Sequence, residues 1–318
     1  MNIFGIALSP PDIPVTIFGS NNNIIRNNFI GVDVTGTVAI PNMACCGFDV
    51  EDSANNLIQN NLISGNRGDG LIVEGINGTG NQVIGNLIGT DVTGTVALGN
   101  GGAGLALLDQ TSGNTFGGVT AADRNLISGN HRFGIAMGAS SNGLGLPFSN
   151  TIRGNFIGTN AAGTAAIPND CTGINVEGPN EIIGGTAMGA GNLISGNRNT
   201  GANPNCPVSS VVAGIQLGTS ATGTVIQGNF IGVDITGAQR LPNSGEGVNI
   251  FGTNNTVGGT APGAPNVISG NDRSGVFLNG PSNSIVGNFL GLNAAGTAAA
   301  RNAATGTAIF SANNIVQG

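Results

Sequence analysis

The chain has 318 residues, 57 of them glycine, with 8% charged residues and a formal net charge of −7. Its nine basic residues are all arginines, scattered singly from Arg26 to Arg301, so no basic stripe exists to release counterions from phosphates and nucleic acid is excluded as a partner. No run of about 18 apolar residues is present to cross a bilayer, and the first residues lack the basic region, apolar core and cleavage site of an export signal, which is expected to lie outside this chain.

Taken in chain order, two phrases recur. Asn28-Phe-Ile-Gly-Val-Asp-Val-Thr-Gly-Thr37 returns from Asn86, Asn155, Asn229 and Asn288, and Asn-Leu/Val-Ile-Ser-Gly-Asn occupies the gaps at Asn61, Asn125, Asn192 and Asn266. Self-similarity of this kind means a stacked repeat. A third element, glycine followed by apolar residues at alternate positions, begins at Gly5, Gly47, Gly70, Gly104, Gly134, Gly173, Gly214, Gly247, Gly275 and Gly306. Two-residue alternation over such short runs reads as strand, with Gly and Asn as corners. The spacing predicts about ten coils of roughly 20 to 40 residues, each with three strands. A strand can meet its copy one coil later only in parallel, because the chain travels the same way round each time. The expected fold is therefore all-β: a single right-handed parallel β-helix over residues 1–318, with three sheets and a length on the order of 45 Å. The corner residues Asn28, Asn61, Asn86, Asn125, Asn155, Asn192, Asn229, Asn266 and Asn288 are expected to accept left-handed backbone and to stack their amides from coil to coil.

The phrases Gly-Asn-Phe/Leu-Ile-Gly-Thr-Asp-x-x-Gly-Thr-x-Ala and Asn-Leu-Ile-Ser-Gly-Asn resemble those of bacterial right-handed parallel β-helix repeat proteins of the pectate-lyase-like superfold. The resemblance runs from Gly5 to Gly318 and implies an extracellular or cell-surface protein. It speaks for fold more than activity, since that superfold carries lyases, hydrolases, adhesins and plain spacers alike. The strand phrase stops short at Gly318 without a helix or polar cap, so the chain is expected to be an excerpt of a longer repeat protein. Ile309, Phe310, Ile315 and Val316 would then be left uncovered and available for end-to-end self-association.

Residues at the third and fifth positions of the glycine-led strands point outward. One outward column reads Asp49, Ile72, Ala106, Ala136, Asn175, Gln216, Asn249, Phe277 and Ala308; its neighbour starts Glu51, Glu74, Leu108 and Gly138. Asp49, Glu51 and Glu74 would cluster about 5 to 7 Å apart, with Asp52 and Asp109 close by. Such carboxylates suit acid–base hydrolysis or cleavage of a polysaccharide, or Ca²⁺ bound through Asp49, Glu51, Asp52 and Glu74. They equally suit an acidic face that solvates a glycine-rich rod. The chain has no Lys, Trp or Tyr, and no Arg recurs on these columns, so a cationic partner and aromatic sugar platforms are missing. The expectation is a non-enzymatic stalk or adhesive surface without a cofactor; the alternative is a polysaccharide lyase or glycoside hydrolase at Asp49, Glu51 and Glu74.

His131 stands alone without a second ligand at metal spacing, and Ser64, Ser128, Ser195 and Ser269 recur with the fold as turn residues. Asp33, Asp91 and Asp234 are replaced by Asn160 and Asn293 in equivalent turns, which suits a turn cap better than a calcium ligand. Cys171 and Cys206 occupy one corner of adjacent coils, within reach of a disulfide. Cys45 and Cys46 lie about four coils away, on the order of 19 Å, too far to pair with them. They are left either as free thiols or as a strained vicinal disulfide.

Overall fold

A computed structural model describes residues 15–43, 45–138, 144–199, 206 and 212–318. Three parallel sheets run through it, two of ten strands and one of nine, and each is crossed once per turn of the chain. The first sheet runs from Val15–Phe18 through Cys46–Glu51 and Asp69–Glu74 to Thr307–Ile309, the second from Ile24–Arg26 to Ile315–Gln317, and the third from Phe29–Ile30 to Phe289–Leu290. This is a right-handed parallel β-helix of ten coils. The single helical element among the described residues is the 3-10 turn Ala121–Asp123.

The alternation in sequence becomes the core. Phe48, Leu71, Leu105, Ile135, Ile174, Ile215, Val248 and Val276 stack along the first sheet, while Ile63, Ile88, Ile127, Ile157, Ile194, Ile231 and Ile268 stack along the third. All are fully buried, and with the second sheet they form one continuous apolar column. Along the third sheet isoleucine meets isoleucine and along the first large apolar residues meet, so each coil covers the next.

The first coil departs from the glycine-keyed pattern. Gly5 lies outside the described residues, and the first strand described is Val15–Phe18, which pairs Val15 with Phe48 and Phe18 with Glu51. Val15 and Ile17 alternate as the later strands do, but Pro14 precedes them instead of glycine.

Polar corners hold the coils in register. The Asn28 ladder is continuous through Asn61, Asn86, Asn125, Asn155, Asn192, Asn229, Asn266 and Asn288: each residue gives its backbone N–H and its Nδ2 to the Oδ1 of the residue one coil on. Two further ladders stand at the other corners, one from Asn42 through Asn66 and Asn100 to Asn302, the other from Asn23 through Asn56 and Asn81 to Asn314, the latter interrupted where Glu181 and Thr224 replace asparagine. The expected left-handed backbone is not at the stacked asparagines. It falls on the preceding residue, Asn27 or Asn60 in one ladder and Asn22, Asn55, Gly80, Gly113, Ser149, Asn180, Gly223, Asn254, Ser282 and Asn313 in another. That residue makes the bend, which frees the following side chain to point inward between coils.

Every second coil carries a hairpin on the third sheet, bridged at Val32 to Ala39, Thr90 to Ala97, Thr159 to Ala166, Val233 to Arg240 and Leu292 to Ala299. Asp91 caps its hairpin by accepting the N–H groups of Thr95 and Val96 at 3.1 Å, and Asn160 does the same for Thr164 and Ala165. These turns are therefore side-chain caps. Successive hairpins join through Val92 N–H to Gly36 O at 3.0 Å, Ala161 to Gly94 at 2.9 Å, Ile235 to Gly163 at 3.0 Å and Ala294 to Gly237 at 2.9 Å. Leu126, Phe156 and Leu193 fill the space beneath. Gly163 shows why the turn is glycine: its φ is +69°, and a Cβ there would stand 2.9 Å from Ile235 Cβ and from Leu193 Cδ2.

Candidate functional site

The outward side of the first sheet carries the carboxylates. Phe48 and Val50 on one strand, and Leu71 and Val73 on the next, are anchored in the core, which turns Asp49, Glu51, Ile72 and Glu74 the other way. Register pairs Asp49 with Ile72 and sets Glu51 directly opposite Glu74, a like-charge pair that costs stability. Carboxylate oxygens of Asp49, Glu51 and Glu74 all lie within 4.8 Å of one another, tighter than strand spacing alone led us to expect.

Asp49 is the unusual member. It is only 7% exposed, and its Oδ1 has no hydrogen-bond partner. Burial, followed by the negative charges of Glu74 and Glu51, pushes its carboxyl up to about 7. Burial also raises Glu74, helped by Glu51, Asp109 and Asp52. Asp52 contributes charge but is committed elsewhere: it has a left-handed φ of 45°, and its Oδ1 accepts the N–H of Asn77 at 3.1 Å. Of the four residues considered for Ca²⁺, Asp49, Glu51 and Glu74 stand together and Asp52 lies outside that group. Among the described residues the ion pairs are His131 with Asp170, Arg240 with Asp272 and Arg273 with Glu246, none of which touches the cluster. The arrangement can hold and release a proton near neutral pH, or offer hard oxygen ligands to a cation.

Along the same face the surface changes character. Ile72 and Ala106 are nearly buried, Asn175 Oδ1 accepts from Gln216 Nε2 at 3.0 Å, and Asn249 Oδ1 is buried without a partner. Phe277 and Phe310 then stack with ring centroids 4.9 Å apart, and Phe310 is 67% exposed.

Other predicted residues sit apart from this cluster. Cys171 and Cys206 are disulfide-bonded with Cα atoms 5.7 Å apart, joining the sixth and seventh coils. His131 Nδ1 lies 3.2 Å from Asp170 Oδ2 one coil on. Ser64 does more than form a turn, since its buried hydroxyl donates to Thr90 O at 2.7 Å and accepts from Gly89 N–H, bridging two coils.

The half-buried Asp69 and the fully buried Glu181 were not singled out from sequence. Asp69, paired with Cys46, accepts the Ala103 N–H at 2.6 Å, and burial raises its carboxyl despite that bond. Glu181 replaces asparagine in the Asn23 ladder: it is fully buried and accepts the Asn150 N–H at 2.7 Å. Burial pushes it up to about 8, with the Asn150 bonds opposing. Its signal was available, because Asn180-Glu181-Ile182-Ile183 occupies the phrase that reads Asn22-Asn23-Ile24-Ile25 in the first coil.

No family model matches this chain, and a search of curated proteins finds no match to it.

Proposed function

We propose that this chain is a non-catalytic, extracellular β-helix rod of the bacterial pectate-lyase-like repeat type, serving as a rigid stalk or an adhesive surface. The observation that carries this reading is how the polar groups are used: three asparagine ladders direct side-chain hydrogen bonds from coil to coil, and a hairpin row adds backbone ones. A rod held this way resists bending and presents one graded outer face, from carboxylates through amides to the Phe277–Phe310 pair. The Cys171–Cys206 bridge supports an oxidising setting. The test is a panel of acidic and neutral polysaccharides, assayed for unsaturated products and reducing ends with and without Ca²⁺. We expect retention of chains on the rod at most and no turnover.

A second reading is favoured by Asp49. A half-protonated carboxyl with one unpartnered oxygen, beside Glu51 and Glu74, resembles an acid–base pair, and a separation within 4.8 Å is close to the roughly 5–5.5 Å of retaining glycosidases. Turnover in the same panel that disappears in Glu51→Gln or Glu74→Gln would replace the structural reading with this one. Ca²⁺ dependence lost in those variants would assign the cluster to a calcium-assisted reaction.

The rod ends supply a partner for the stalk reading. Ile309, Phe310, Ile315 and Val316 at one end, and Phe18 and Ile24 at the other, are each at least 45% exposed, beside strand edges with no neighbour among the described residues. Head-to-tail stacking of two copies would set the edges of the first and second sheets together. We expect sedimentation to show association that grows with protein concentration and is suppressed in Ile315→Lys. A strictly monomeric species at high concentration would remove end-to-end contact from the reading.

A further inference from the structure

Cys45 and Cys46 are the two cysteines outside the Cys171–Cys206 bridge. They stand where the chain turns into the strand Cys46–Glu51, with their sulfurs 2.9 Å apart. Their environments are opposite. Cys45 is exposed, whereas Cys46 is fully buried and packs with Ile72 and Ala106 on the outer side of the first sheet. One thiol can be reached by a reagent, and the other is shielded from reagents while touching the first. Thiol–disulfide exchange with an intramolecular ending is favoured by that division: an entering sulfur in solvent, and a resolving sulfur within its reach. The other two cysteines cannot compete, being bonded to each other on the sixth and seventh coils while this pair belongs to the second.

We propose that Cys45–Cys46 is a reversible modification site for low-molecular-weight disulfides of the glutathione class. The Cys45 thiolate attacks one sulfur of the disulfide RS–SR; the RS–SR bond breaks, a Cys45–S–S–R bond forms, and RS⁻ leaves to take up the proton that Cys45 lost. Cys46, deprotonated in turn, attacks the Cys45 sulfur, forms the Cys45–Cys46 bond and expels the second RS⁻, which is protonated. Two protein thiols are oxidised by two electrons, and one RS–SR is reduced to two RSH. Burial, then Cys45 and the charges of Asp49 and Asp69, raise the Cys46 thiol above its ordinary value, so closure is the slower step and quickens as pH rises. The product is labile. Consecutive Cα atoms stand about 3.8 Å apart, below the roughly 4.4–6.8 Å that disulfides prefer. The 5.7 Å of Cys171–Cys206 lies within that range.

The test treats the intact, mildly reduced protein with oxidised glutathione, quenches in acid and digests with trypsin, which places both cysteines in the peptide Asn27–Arg67. We expect this wild-type peptide to end two hydrogens lighter and free of glutathione. Cys46→Ser should stop at a stable glutathione adduct on Cys45, and Cys45→Ser should remain unmodified. Under graded dithiothreitol the vicinal bond should open before Cys171–Cys206. Serine at the buried position 46 can disturb folding, so the wild-type digest decides by itself. A wild-type peptide that keeps glutathione, or stays a dithiol throughout, overturns the proposal, as does adduct formation in Cys45→Ser at the wild-type rate.

Discussion

Replacing Asn86 with alanine should cost about 3–6 kcal/mol, far more than the loss of a few side-chain atoms. Asn86 is fully buried, and its Oδ1 accepts the Asn61 N–H at 2.9 Å and Asn61 Nδ2 at 3.0 Å. Its Nδ2 reaches Ile58 O, Ile84 O and Asn125 Oδ1, each at 3.0 Å. Alanine removes all of these at once and leaves the Asn61 N–H buried without an acceptor. Each stranded group of this kind costs about 1–3 kcal/mol. Because neighbouring coils are the only contacts a coil has, the defect should also loosen its surroundings. Thermal unfolding should fall by several degrees, and amide exchange should quicken around Asn61 and Asn125 before it does at the ends. A change inside the roughly 0.5 kcal/mol range of ordinary surface substitutions would show that the ladder is not what holds the coils.

Stability should fall as pH rises from about 4.5 to about 8, the reverse of what salt-bridged carboxylates produce. Glu181 is raised in the folded chain from its ordinary 4.5 to about 8, chiefly by burial. Its contribution is fully present below the unfolded value, where both states carry the proton. It is lost as pH rises through the folded value, because the unfolded chain ionises freely and the folded one does not. The loss is on the order of a few kcal/mol. Asp49, raised from 3.8 to about 7, adds to it with the same sign over a lower window. Glu181→Gln should flatten the upper part of the profile and make the variant more stable than wild type at pH 8. Unfolding midpoints measured across this range check the expectation. Parallel profiles for wild type and variant would show that Glu181 does not carry the slope. Asp49→Asn should flatten the remainder.

The sequence by itself determined the coil. Alternation in Leu71-Ile72-Val73 separates a core side from an outer side, and repetition of that pattern leaves parallel stacking as the way to bury it. The outer columns followed from parity, so the pairing of Glu51 with Glu74 was legible before any coordinates. The corner turns were legible in part. The Asn28 ladder announces itself in a repeated phrase, but the bend belongs in many coils to the residue before the asparagine, a backbone property that Asn, Gly and Ser share without a common side-chain signature.

Tertiary structure decided what distance and burial do to the same residues. Asp52 and Asp49 are three positions apart and chemically alike, yet one is used by the Asn77 N–H and the other is sealed with an unpartnered oxygen. Glu181 reads as an ordinary charge until the ladder encloses it, and Cys45 and Cys46 differ only in which side of the corner each faces. Sequence pattern sets which face a side chain takes. Its proton affinity and reactivity depend on what the neighbouring coils place around it, and those neighbours lie 20 or more residues away along the chain, as Asn61 and Asn86 do at a separation of 25.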